Sequence, residues 1–93
     1  TMSMLRDGYD LTIDGCPVRI EGRSGPLRAT WSLYEGERLL EEYKAIDGIF
    51  DLTGTLSSGT EVDVTIEQSS VGPTRVTVHA GEEMILDTEG FVL

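Results

Sequence analysis

Between residues 49 and 80 the chain repeats one pattern three times. Phe50, Leu52 and Leu56 fall on every second position, with Gly54 keeping the phase; Val62, Val64 and Ile66 do the same, and so do Val76, Val78 and Ala80. Polar side chains fill the gaps: Asp51, Thr53 and Thr55, then Asp63, Thr65 and Glu67, then Arg75, Thr77 and His79. Successive side chains of an extended chain point to opposite faces, so each run has one apolar and one wet face. Ser-Ser-Gly-Thr and Ser-Val-Gly-Pro separate the runs. The pattern predicts an antiparallel meander with one face buried.

The same alternation recurs upstream. Tyr9, Leu11 and Ile13 alternate with Asp10 and Thr12, which predicts a first strand over 9–13 with residues 1–8 as a lead-in. Asp14-Gly15 tolerates the positive φ that a two-residue hairpin turn needs. Val18 and Ile20 face inward on the return strand, and Pro17, which cannot donate to a ladder, marks an edge or a bulge. Residues 22 to 26 read as a loop. Leu27, Ala29, Trp31 and Leu33 then alternate with Arg28, Thr30, Ser32 and Tyr34, placing the largest side chain of the chain, Trp31, in the core.

Residues 35–48, EGERLLEEYKAIDG, carry two conflicting signals. Good helix formers, with Leu39, Leu40, Tyr43 and Ile46 at helical spacing, suit a short helix near 37–46. An internal echo favours a strand: residues 18–40, VRIEGRSGPLRATWSLYEGERLL, resemble residues 64–86, VTIEQSSVGPTRVTVHAGEEMIL. Each has V-x-I-E, a loop with Gly-Pro, Arg and Thr two apart, then Gly-Glu and an apolar run. On that echo Glu37–Tyr43 form a strand, as do the residues around Met84, Ile85 and Leu86. Phe91-Val92-Leu93 ends the chain as a packed apolar segment.

The sum is about eight short strands with turns every 8 to 12 residues or so, the spacing of a small antiparallel β-sandwich; a small closed β-barrel is the alternative. A chain of 93 residues holds one domain, 1–93, with one thin core. No apolar run approaches the length of a membrane span, and the N-terminus lacks an apolar signal core. The single cysteine, Cys16, excludes an internal disulfide and suits a reducing, cytoplasmic location.

Seventeen acids against seven bases give a formal charge of -10, which repels nucleic acid and anionic membranes. One His and one Cys, 63 positions apart, offer little to nucleophilic catalysis or to zinc. His79 falls in the outward phase of its strand. Asp7, Asp10 and Asp14 are better explained by turn chemistry than by a calcium loop. No catalytic residue, cofactor or metal is therefore expected. The marked surface feature is acid clustering: Glu35, Glu37, Glu41, Glu42, Asp47 and Asp51 form the candidate partner-binding set, with only Arg38 and Lys44 against them in that span. The expected function is a non-enzymatic binding module that acts through its surface on a protein partner, with homodimer formation as one form of it. Two alternatives remain open: an acidic inhibitor of a basic enzyme or nucleic-acid-binding protein, immunity-protein or nucleic-acid-mimic in type, and a small-ligand-binding β-barrel.

Overall fold

The computed structural model describes residues 6–24, 28–45, 48–68 and 74–91. Every element is a β-strand: β1 (Arg6–Ile13), β2 (Cys16–Ser24), β3 (Ala29–Glu35), β4 (Arg38–Ala45), β5 (Gly48–Thr55), β6 (Glu61–Gln68), β7 (Thr74–Ala80) and β8 (Glu83–Phe91). They form two antiparallel four-stranded meanders, β1-β2-β3-β4 and β5-β6-β7-β8, and the chain passes from the first sheet to the second once, between Ala45 and Gly48. The sheets stack as a small sandwich and do not close into a barrel. The internal echo falls on equivalent elements. Residues 18–40 run through β2 and β3 into β4, and residues 64–86 run through β6 and β7 into β8.

The inner faces follow the alternation. Val18, Ile20, Trp31 and Leu33 of the first sheet meet Leu52, Val62, Val64, Ile66, Val76 and Val78 of the second, each no more than 2% exposed. Burying a side chain of this size contributes about 1.5–3 kcal/mol relative to leaving it in water. Trp31 also spans the layers: its Nε1 donates to Gln68 Oε1 at 2.6 Å, and Gln68 Nε2 donates to the Ala45 carbonyl at 3.4 Å. An indole N–H buried without an acceptor would lose its water for nothing, and Gln68 prevents that.

Over 37–46 the strand that the echo favours forms and the alternative short helix does not: β4 occupies Arg38–Ala45. The ladder pairs Tyr34 with Leu39 and Leu33 with Glu41, which leaves Leu40 as an extra residue. A bulge of this kind shifts the side-chain phase by one, and the shift mimics the 3–4 spacing of a helix. Leu39 follows Tyr34 to the outer face, whereas Leu40 turns inward and packs over Gly54, where an added Cβ would lie 2.9 Å from it. β1 begins at Arg6, inside the expected lead-in, and β2 runs on to Ser24 through the expected loop. In β8 a second irregularity at Val78/His79 leaves Met84 and Ile85 exposed and turns Leu86 toward the core. Leu27, Ile46, Asp47, Val92 and Leu93 lie outside the described residues.

Pro17 lies in an interior strand rather than at a sheet edge, because β2 pairs with both β1 and β3. It is tolerated by its place along the strand. The β3 ladder starts one residue later, at Val18–Glu35, and beyond it only Gly36 N reaches back, donating to the Pro17 carbonyl at 2.8 Å. A residue in an antiparallel strand directs its N–H and C=O to the same neighbour, so the missing donor falls where β3 has already turned away.

Gly22 stands opposite Trp31 in the β2–β3 ladder, and a Cβ there would meet the indole Cζ3 at 2.7 Å. The absent side chain makes room for the ring. Gly22→Ala is therefore expected to lower stability by about 1–3 kcal/mol through overpacking. Urea denaturation of the two proteins checks it, and an unchanged midpoint would mean that the indole does not lie where the structure puts it.

Candidate protein-interaction surface

The residues singled out from sequence do not make one surface. Asp47 lies outside the described residues, and Glu37 sits exposed in the β3–β4 turn. Glu35 closes one end of the sandwich. Its Oε1 accepts from Arg38 Nη2 and from the Ser57 backbone N–H at 3.0 Å, and its Oε2 accepts the Ser57 hydroxyl at 2.6 Å. Ser57 belongs to the β5–β6 turn of the opposite sheet, so this carboxylate holds two layers together. Cys16 Sγ lies 3.7 Å from the same hydroxyl, and Thr60 Oγ1 donates to Asp14 of the β1–β2 turn. These donors hold the Glu35 carboxyl down from 4.5 to about 2, the Ser57 hydroxyl contributing most and Arg38 next. A carboxylate so stabilised is a weak base, and the cluster is a clasp between hairpins.

Glu41 and Glu42, adjacent in β4, point to opposite sides. Glu41 Oε1 accepts from the Thr53 backbone N–H across the β4–β5 seam. Arg38 Nη2 reaches the Thr55 carbonyl at 3.5 Å along the same seam, and the rings of Tyr43 and Phe50 stack with centroids 4.6 Å apart. Glu42 belongs instead to the outer face of the first sheet. Asp51 lies on the outer face of the second.

The two outer faces differ in charge balance. Among the described side chains of the strands, the first sheet presents Asp10, Glu21 and Glu42 against Arg19, Arg23 and Lys44. Arg19 bonds Asp10 at 3.0 Å and Glu21 at 3.4 Å, while Arg23 lies 3.8 Å from Glu21 and 3.9 Å from Glu42. The carboxylates beside it raise the Arg19 pKa, Asp10 most of all. The ladder seats Glu21 between Gly8 and Ser32, and at 9% and 1% exposure Glu21 and Ser32 are buried on a face that is nominally wet. The face neutralises itself.

The second sheet does not. Among its described side chains the outer face carries Asp51 on β5, Glu61, Asp63 and Glu67 on β6 and Asp87 on β8, against Arg75 and His79 on β7. Arg75 is joined to Asp87 by two parallel bonds, Nε to Oδ1 at 2.9 Å and Nη2 to Oδ2 at 2.7 Å, which hold the Asp87 carboxyl below its ordinary range. Asp51, Glu61, Asp63 and Glu67 have no ion pair among the described residues. The Asp63 pKa is raised, by burial first and then by Asp51, with only His79 opposing. Its Oδ1 is buried and accepts no hydrogen bond among the described residues. Beside it lies an open depression of about 350 Å³ lined by Thr53, Thr55, Glu61 and Asp63, with Gly54, Val62 and Gly81 below.

Among the described residues no group of three His, Cys, Asp or Glu side chains is arranged to hold a metal ion, and no helix is long and apolar enough to cross a membrane. The sequence puts Glu61, Asp63 and Glu67 on the wet face of one strand, as β6 has them, but it does not show that Asp51 of β5 joins them. The outward phase of β5 and β6 was legible, but their pairing register was not.

The clasp has a pH signature. Because Glu35 titrates at about 2 in the folded protein and near its ordinary 4.5 when unfolded, its contribution is complete above 4.5 and fades as the pH falls toward 2. Glu35→Gln should therefore lower the urea midpoint at neutral pH, and the gap from wild type should narrow below about pH 3. A gap that stays constant over that range would show that the carboxylate charge does not hold the hairpins together. Comparison of the chain with protein-family models, with curated proteins and with solved structures gives no match.

Proposed function

We propose that this chain is a non-enzymatic protein-binding module that engages a basic partner through the outer face of its second sheet. The observation that carries this reading is the charge partition among the described side chains: three carboxylates against three cations on one outer face, five carboxylates against one arginine and one histidine on the other. Four of those five carboxylates have no ion pair among the described residues. A cationic surface laid against them replaces repulsion between like charges with attraction, which favours fast, oriented encounter more than tight holding. When the surface so covered is an active site or a nucleic-acid-binding face, this binding inhibits the partner.

The test is capture from a lysate of the source organism on tagged protein, followed by washes of rising salt. Wild type should retain a basic protein that salt releases. Asp51→Asn with Glu67→Gln should lose it, and Asp10→Asn with Glu42→Gln, on the balanced face, should keep it. Retention that ignores the first pair of changes would overturn the assignment of the face. A bare matrix together with a dimeric mass in light scattering would replace it with self-association, for which the exposed Tyr43 and Ile49 flanking the sheet crossover supply apolar surface.

A further inference from the structure

Of the four sheet edges, β5 is the one that is both regular from end to end and nearly uncharged. The β3–β4 ladder breaks at Leu33/Tyr34 and the β7–β8 ladder at Thr74/Val76 and Val78/His79. Such irregularities turn an edge away from further pairing. β1 pairs with β2 without a shift but carries Arg6, Asp7 and Asp10. β5 pairs with β6 without a shift along its whole length, and its only charge is Asp51. A flat edge with so little charge is a template for another strand.

Side chains cover that edge. A residue in an antiparallel strand sends its N–H and C=O to the same side, and Thr53 and Thr55 send theirs away from β6. Glu41 Oε1 accepts from the Thr53 backbone N–H and, at 3.3 Å, from its hydroxyl, while Arg38 Nη2 donates to the Thr55 carbonyl at 3.5 Å. By the same alternation Ile49 and Asp51 direct their backbone groups to this edge. A carboxylate and a guanidinium from β4 thus stand where the C=O and N–H of an added strand would lie.

We propose that β5 is a strand-pairing edge for a second copy of this chain, and that Glu41 and Arg38 are caps that keep it closed. The occupant follows from the self-complementarity of β5. An antiparallel copy related by a two-fold axis at Leu52 sets Asp51 opposite the partner's Thr53, Ile49 opposite the partner's Thr55 and Phe50 opposite the partner's Gly54. This register matches the edge-directed backbone groups of Ile49, Asp51, Thr53 and Thr55 with one another and sets no like charges directly opposite. It also keeps the apolar side chains of both strands on the inner side. Ile49, 72% exposed in a single copy, gains a cross-strand neighbour.

Sedimentation of the full chain over a series of concentrations and salt tests this. Glu41→Ala should dimerise at a concentration about tenfold or more below that required by wild type. Glu42→Ala, the adjacent change on the outer face, should behave as wild type. Two copies of charge -10 repel each other, so the dimer should strengthen as salt rises, whereas capture of a basic partner weakens. Hydrogen exchange at the Ile49, Asp51 and Thr53 amides of Glu41→Ala should slow on dimerisation. Adding Thr53→Pro, which removes an N–H that faces the edge and not β6, should abolish the dimer.

A Glu41→Ala chain that stays monomeric throughout, or one whose dimer leaves the β5 amides exchanging as fast as in the monomer, would overturn the assignment of this edge. Wild type that dimerises as readily as Glu41→Ala would overturn the role of the cap. None of these outcomes bears on the acidic face, which is judged by the Asp51 and Glu67 changes and by release in salt.

Discussion

Each four-stranded sheet of this protein has one apolar face, and the surface that covers it is the matching face of the other sheet. A two-layer sandwich is the least that such a pattern can form. Trp31 shows how tightly the layers depend on each other. Its ring needs the bare backbone of Gly22 beside it on β2, and its N–H needs Gln68 at the end of β6. The Glu35–Ser57 clasp then ties hairpins of opposite sheets at one end of the sandwich.

Along the seams side chains do what ladder hydrogen bonds would do in a barrel. Glu41 and Arg38 satisfy backbone groups of β5, and the hydroxyls of Tyr9 and Thr88 share a hydrogen bond at 3.1 Å between β1 and β8. Blunting an edge with a neighbour's polar side chain also leaves fewer backbone groups free to pair with another molecule. With its edges occupied in this way, the protein presents its two outer faces as its main surfaces, and they differ in charge. On the first, arginines and carboxylates lie against one another. The second carries uncompensated negative charge, concentrated where Asp51 and Asp63 come together. Net charge alone would have suggested a uniformly acidic molecule, whereas the sheets sort that charge, and this sorting gives the protein a direction.

The acid-rich span 35–51 shows why one-dimensional clustering misleads in a β protein. Neighbouring residues of a strand point to opposite sides, so Glu41 reaches the seam while Glu42 joins Arg23 on the outer face. The crossover after Ala45 then carries Asp51 to the other sheet. Of the five described residues chosen from that span, Glu35 is taken up in a clasp and only Asp51 belongs to the face that is left unbalanced. The helix–strand ambiguity of the same span has an equally local cause. One extra residue at Leu40 converts an alternating pattern into one with helical spacing, and nothing within the segment distinguishes the two.

What the sequence determined by itself was the strand class, the number of strands, the inward residues from Val18 to Val78 and the likeness of the two halves. These follow from a side-chain period of two and from turn residues whose preferences are local. The tertiary structure decided the rest: the register that sets Asp51 on the diagonal from Asp63, the bulge in β4, the seat of Pro17 at the end of a ladder, and the clasp that joins Glu35 to Ser57. Each of these depends on which residues of different strands come to lie side by side, and that is settled only when the two apolar faces close on one another.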